Sequence, residues 1–144
     1  MPVITNIVLN ILTSIIVGIV TGLITGVIVA AYYDLSNLKH ALLYEIRRIN
    51  YIQHGDNEVE ILNPRAETEI IKENIILLTS RALGDFNEKG RRLQCLQRDI
   101  LHVINNGKAS DMKGLNDNWQ KMVRGLRLSR TDVIRKLRDI THIG

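Results

Sequence analysis

The sequence predicts an all-α protein, with one N-terminal transmembrane helix that continues into a cytoplasmic bundle of four or five helices. Three observations lead there. Residues 1–33 contain no Asp, Glu, Lys or Arg, a run longer than the roughly 20 apolar residues a helix needs to cross a hydrocarbon core. From Asp34 onward, apolar residues recur at three- and four-residue spacing, and the Gly and Asn breaks fall at helix-sized intervals. No run beyond the first segment alternates convincingly with period two. The expected domains are therefore a membrane segment, 1–33, and a cytoplasmic helical domain, 34–144, long enough for one small core.

Within the first segment every fourth residue is small or polar: Asn6, Asn10, Ser14, Gly18, Gly22, Gly26 and Ala30. Four residues turn an ideal helix by about 400°, so the row winds by only about 40° per step and forms one groove. Such a glycine zipper lets helix backbones approach closely in a bilayer, where packing rather than hydrophobicity drives association. Its drift of about 240° over the row accommodates two neighbours, as a closed ring requires. Thr13, Thr21 and Thr25 edge the groove, with hydroxyls able to bond their own helix, a neighbour or water in a pore. Ile16, Ile19, Val20, Leu23 and Val27 supply a lipid-facing surface. Asn6 and Asn10 are costly in lipid unless they reach headgroups or bond between protomers. Tyr32 and Tyr33 suit an aromatic belt.

No Lys or Arg precedes the segment, whereas Lys39, Arg47 and Arg48 follow it. The positive-inside rule then places the N-terminus outside and the domain in the cytoplasm, and the single cysteine, Cys95, agrees with a reducing compartment. A cleaved signal peptide is the competing reading. The lack of a positive n-region and a run about twice the usual h-region favour an uncleaved anchor.

In the domain, Leu35, Leu38, Leu42, Ile46, Ile49 and Ile52 carry the first helix on to about Gln53, with Gly55 ending it. Glu58 to Leu62 is a polar connection with brief alternation, and Asn63 with Pro64 reads as an N-cap and first-turn proline. The second helix runs to about Leu83. Its face of Ile70, Ile71, Ile75, Ile76, Leu77 and Leu78 suits burial, and Asn74 within it needs a hydrogen-bond partner. After the break at Gly84 and Asp85, a third helix from about Asn87 carries Leu93, Leu96, Ile100, Val103 and Ile104 to the turn at Asn105, Asn106 and Gly107. Further helices are expected from Asp111 to Leu128, weakened by Gly125, and from Ser129 to Ile143. Trp119 reads as a core or interface anchor.

Chemistry-bearing motifs are sparse. There is no Gly-rich phosphate loop and no CxxC pair, and His40, His54, His102 and His142 are far apart, so neither a cofactor nor a metal is expected. Glu58, Glu60, Glu67, Glu69 and Glu73 read as a solvated acidic face. Charge divides within the domain: residues 34–90 carry seven basic and ten acidic groups, residues 91–144 twelve and five. The basic set Lys121, Arg124, Arg127, Arg130, Arg135, Lys136 and Arg138 suits a protein partner, the acidic half of a neighbouring protomer, or anionic lipid. Without interleaved aromatics, nucleic acid ranks below these. Arg98–Val103 recurs loosely as Arg138–Ile143, each placing Arg and His four apart on one helix face.

Arg48 and His54 are separated by five residues, and Arg47–His54 and Arg135–His142 by six. This resembles the helical bundles of the HEPN superfamily, many of them dimeric ribonucleases, in which an Arg and a following His are separated by four to six residues. A polar residue commonly follows that Arg, whereas Ile49 follows Arg48 here. The organisation is similar to small bacterial membrane proteins associated with CRISPR RNA-targeting systems, which join one membrane helix to a HEPN-like domain and assemble into a pore. The resemblance implies a bacterial inner-membrane location, a role in antiviral defence, and Arg48 and His54 as the candidate catalytic pair.

The leading expectation is a non-enzymatic, homo-oligomeric single-pass membrane protein, pore- or channel-like, that depolarises the membrane under control of its helical domain. Its partners would be the lipid bilayer and further copies of itself. Two alternatives stand beside it: a membrane-anchored adaptor recruiting a cytoplasmic protein, and a membrane-tethered HEPN-like ribonuclease.

Overall fold

One helix organises the chain: α1 (Pro2–Arg48) runs unbroken for 47 residues in the computed structural model, which describes residues 2–141. The expectations that involve His142 and Ile143, namely the Arg135–His142 spacing and the second copy of the short repeat, lie outside the described residues. After α1 come β1 (Tyr51–His54), β2 (Glu58–Ile61), α2 (Arg65–Asp85), α3 (Asn87–Asn106), α4 (Met112–Arg124) and α5 (Arg130–Thr141). The fold is all-α, with one long apolar N-terminal helix followed by a helical domain, and a small hairpin is added to it.

The chain divides into two units, one combining Met1–Asp34 with Leu128–Gly144, the other comprising Leu35–Arg127. The sequence places a single boundary after residue 33. The structure has a second one at Leu128, so that α5 groups with the apolar segment.

In the second unit, Leu38, Leu42 and Ile46 of α1, with Ile49 just after it, contribute to a core shared with Ile71, Ile75, Phe86, Leu93, Leu96, Ile100, Met112, Trp119 and Val123. Trp119 is a core anchor. Asn74 finds its partner in Glu45: Nδ2 donates to Oε1 at 2.9 Å. Among the described residues no buried side-chain nitrogen or oxygen lacks a hydrogen-bond partner.

Three expectations are corrected here. First, α1 ends at Arg48, not near Gln53, because Asn63 intercepts the chain. Asn63 Nδ2 donates to the Arg48 carbonyl at 2.9 Å and its Oδ1 accepts from the Asn50 amide at 2.7 Å. The residues beyond pair antiparallel, Tyr51 opposite Ile61 and His54 opposite Glu58, around a turn that starts at Gly55 with φ of 65°. Asn63 is thus spent on α1, and Pro64 occupies the N-cap of α2 without a side-chain cap bond. Second, of the apolar face on α2 only Ile71 and Ile75 are buried, while Ile70, Ile76 and Leu77 stand exposed. That face spans more of the helix circumference than one packed partner covers. Third, α4 stops at Arg124. Gly125 takes the C-cap, and Lys39 Nζ donates to the Arg124 and Leu126 carbonyls at 2.9 and 3.1 Å, an ammonium at the negative end of the helix dipole.

Two glycines permit close backbone approaches. A Cβ on Gly90 would lie 2.2 Å from Leu83 Cα, where α3 crosses α2. Gly107 ends α3 in the left-handed region (φ 60°), and its carbonyl accepts from the Val59 amide at 2.8 Å, tying the α3–α4 loop to β2. A Cβ there would meet the Val59 carbonyl at 2.9 Å. Gly90→Ala should cost about 2–3 kcal/mol through forced separation of the helices, and Gly107→Ala about 1–2 kcal/mol. Chemical denaturation of the full chain in detergent measures both, and an unchanged midpoint for Gly90→Ala would contradict the packing described.

Candidate functional site

The first unit holds most of the residues singled out from the sequence. From Ile4 to Gly26 every residue of α1 is exposed, and this stretch belongs to a helix long and apolar enough to cross a membrane. Space is open at Gly18, Gly22 and Gly26: no atom lies within 4 Å of an added Cβ at any of them. The row therefore forms a free groove along much of its length. Two of its hydroxyls turn inward onto the helix, Thr13 Oγ1 donating to the Leu9 carbonyl and Ser14 Oγ to the Asn10 carbonyl, each at 2.8 Å. This choice leaves the backbone ladder intact and presents methylene and methyl surface to a neighbour. Thr21, Thr25, Asn6 and Asn10 lie exposed, as do Tyr32 and Tyr33.

Toward its C-terminal end the row acquires a companion from its own chain. α5 begins with a reciprocal cap: the Ser129 amide donates to Asp132 Oδ2 at 2.8 Å, and the Asp132 amide to Ser129 Oγ at 3.4 Å. Lys136 of α5 is ion-paired with Asp34 of α1. Gly22, Leu23, Gly26, Val27 and Ala30 then line one open cleft of about 510 Å³ together with Lys136, Asp139 and Ile140. Val27, expected on the lipid-facing surface, is instead buried, as is Ala31, because this side of α1 faces α5. Sequence reading assigned Gly22, Gly26 and Ala30 to contacts between protomers and missed α5 beside them. The available signal was a basic amphipathic helix whose lysine complements Asp34, the first charge after the apolar run.

The basic set is split between the units. Lys121, Arg124 and Arg127 belong to the second, and Arg130, Arg135, Lys136 and Arg138 to the first. Arg124 donates to Gln120 Oε1 at 2.8 Å.

Arg48 and His54 engage different partners. Arg48 Nη1 donates to Glu45 Oε2 at 3.2 Å and Nη2 to Glu67 Oε1 at 3.1 Å, joining α1 to α2, while its guanidinium lies 5.5 Å from the Tyr44 ring centroid. The hydrogen bond to Glu67 raises the Arg48 pKa, partial burial opposes this, and Glu45 adds to the rise. Glu45 is buried with both oxygens occupied, one by Arg48 and one by Asn74. His54 Nε2 pairs with Glu60 Oε2 at 2.9 Å on the exposed side of the hairpin.

Sequence reading also missed a polar cleft of about 540 Å³ on α3, lined by Gln94, Gln97, Arg98, Leu101, His102, Asn105 and Asn106. Its spacing of three and four residues was legible, but only Arg98 and His102 drew notice as a pair. Among the described residues no three His, Cys, Asp or Glu side chains gather to hold a metal ion.

These features define a class of protein: an all-helical chain with a long apolar helix whose small-residue groove is open, joined to a small helical domain. Comparison with protein-family models, curated proteins and solved structures finds no match.

Two outcomes follow from the ion pairs. Lys136→Glu should loosen α5 and speed limited proteolysis between Leu128 and Thr141 by about fivefold, the scale of a partly exposed pair, with rescue by Asp34→Lys. Arg48→Ala should lower the melting temperature of the full chain, because Glu45 then keeps a buried charge without its guanidinium. Arg48→Lys should recover part of that loss.

Proposed function

We propose that this chain is a homo-oligomeric single-pass membrane protein whose α1 helices pack through their small-residue faces into a ring, permeabilising the membrane under the control of the helical domain. The observation that carries this reading is the bare, charge-free stretch of α1 with its groove unfilled from Gly18 to Gly26. A charged residue at the centre of a bilayer costs about 2.5–3.5 kcal/mol on insertion scales, and this stretch has none. A lone helix in lipid also gains nothing from a groove; a second helix seated in it gains close contact along the whole row. Lys39, Arg47 and Arg48, which follow the apolar run within α1, support a cytoplasmic domain, and the resemblance in organisation supports a bacterial inner membrane and a role in defence by membrane depolarisation.

A second reading, a membrane-anchored adaptor, is favoured by the exposed Ile70, Ile76 and Leu77 on α2, apolar groups that a protein partner would cover. The ribonuclease reading finds less support, since both terminal nitrogens of Arg48 already hold carboxylates.

Gly18→Leu separates the two. The position is open in the single chain, so melting of the helical domain should be unchanged, while the detergent-solubilised particle should fall from a defined ring of roughly six or more copies to smaller species. Conductance in planar bilayers should fall with it. Full conductance from a particle of unaltered mass would reject the ring, and activity retained when an unrelated anchor replaces residues 1–34 would select the adaptor.

A further inference from the structure

We propose that neighbouring copies of α1 go on touching beyond the apolar run, along one exposed stripe of the helix formed by Tyr33, Asn37, His40, Tyr44 and Arg47. The occupant of that stripe is a second copy of this chain. The inference rests on the ring reading above and names the part of the interface that lies past the small-residue row.

α1 is unbroken from Pro2 to Arg48, so a contact made at Gly26 can be followed along it. Steps of four residues wind by about 40° each, and the row extended in that way reaches Asp34, Leu38, Leu42 and Ile46, the last three buried in the core. A neighbour cannot follow it there. A second path leaves the same glycine by alternating steps of four and three: Ala30, Tyr33, Asn37, His40, Tyr44 and Arg47. Its mean step of about 3.5 residues drifts by only about 20° per heptad, the geometry of a coiled-coil seam. Every residue on this path is exposed, Tyr33 and Tyr44 each to 62%. Gly26 and Ala30 line the cleft beside α5, yet both remain exposed.

The composition of the path selects its occupant. Parallel copies in register set each seam residue beside its own counterpart, which repels where the residue is charged. The path holds no Asp, Glu or Lys and a single Arg at its end, while Asp34, Lys39, Glu45 and Arg48 all lie off it. Asn, Tyr and His side chains each donate and accept, so each can bond its own kind, and an Asn in a seam specifies register and copy number. Exposed tyrosines suit an interface, where aromatic residues are enriched. His40 Nδ1 lies 2.8 Å from the Ser36 carbonyl. In the neutral ring, donation there leaves Nε2 as the acceptor for a neighbouring copy.

Cross-linking in full-length protein reconstituted into vesicles tests the seam. On a Cys95→Ser background, a single cysteine is introduced as His40→Cys or Tyr44→Cys, both exposed positions, and as Met122→Cys on α4, 41% exposed, for reference. The mass of the solubilised particle is measured for each variant. A short bifunctional thiol reagent should join His40→Cys or Tyr44→Cys chains about tenfold faster than Met122→Cys chains, the mark of a high effective concentration. Loss of the ring in both seam variants while the Cys95→Ser parent keeps it would show the same contact by its removal. Seam sites joined no faster than Met122→Cys, in a particle that keeps its ring mass, overturn the seam and leave the ring standing, with solvent or another protein on the stripe. A monomeric parent rejects the ring reading, and the seam with it.

Discussion

The structure depends on a single helix serving two roles without a break. Over its first part α1 has exposed apolar side chains all round, and over its last part it is a core element whose Leu38, Leu42 and Ile46 are buried. Nothing interrupts it, since no proline follows Pro2 until Pro64. A continuous helix satisfies its own backbone hydrogen bonds wherever it lies. The packing duties of the remaining chain follow from which stretch of α1 each element meets.

In the second unit the polar groups near the end of α1 are organised as carefully as the apolar ones. Asn63 closes the last turn, and Glu45 binds both Arg48 and Asn74. Arg48 bridges onward to Glu67. Side chains that motif spacing nominated for chemistry thus have partners that explain them as joints between α1 and α2. A charged pair of this kind is costly to break because the surviving partner stays desolvated. Its value is in fixing where α1 stops and α2 starts.

In the first unit, α5 meets the apolar segment at the Lys136–Asp34 ion pair and a partly open cleft, leaving space open at Gly18, Gly22 and Gly26.

The helical class, the long apolar N-terminal helix and the order of the later helices follow from sequence alone, because charge-free length and three-to-four periodicity are local properties. The break at Gly107 is equally local, a left-handed cap. Other decisions belong to the tertiary structure. Ile49 and Ile52 continue a helical apolar pattern, yet β1 forms because Asn63, distant in sequence, caps α1 and β2 supplies its ladder. Ile70 and Leu77 extend an apolar face that no neighbour in the chain covers. Periodicity reports which faces of a helix are apolar. Which of them is covered, and whether Gly22 meets another molecule or α5, depends on long-range pairing that no local pattern encodes.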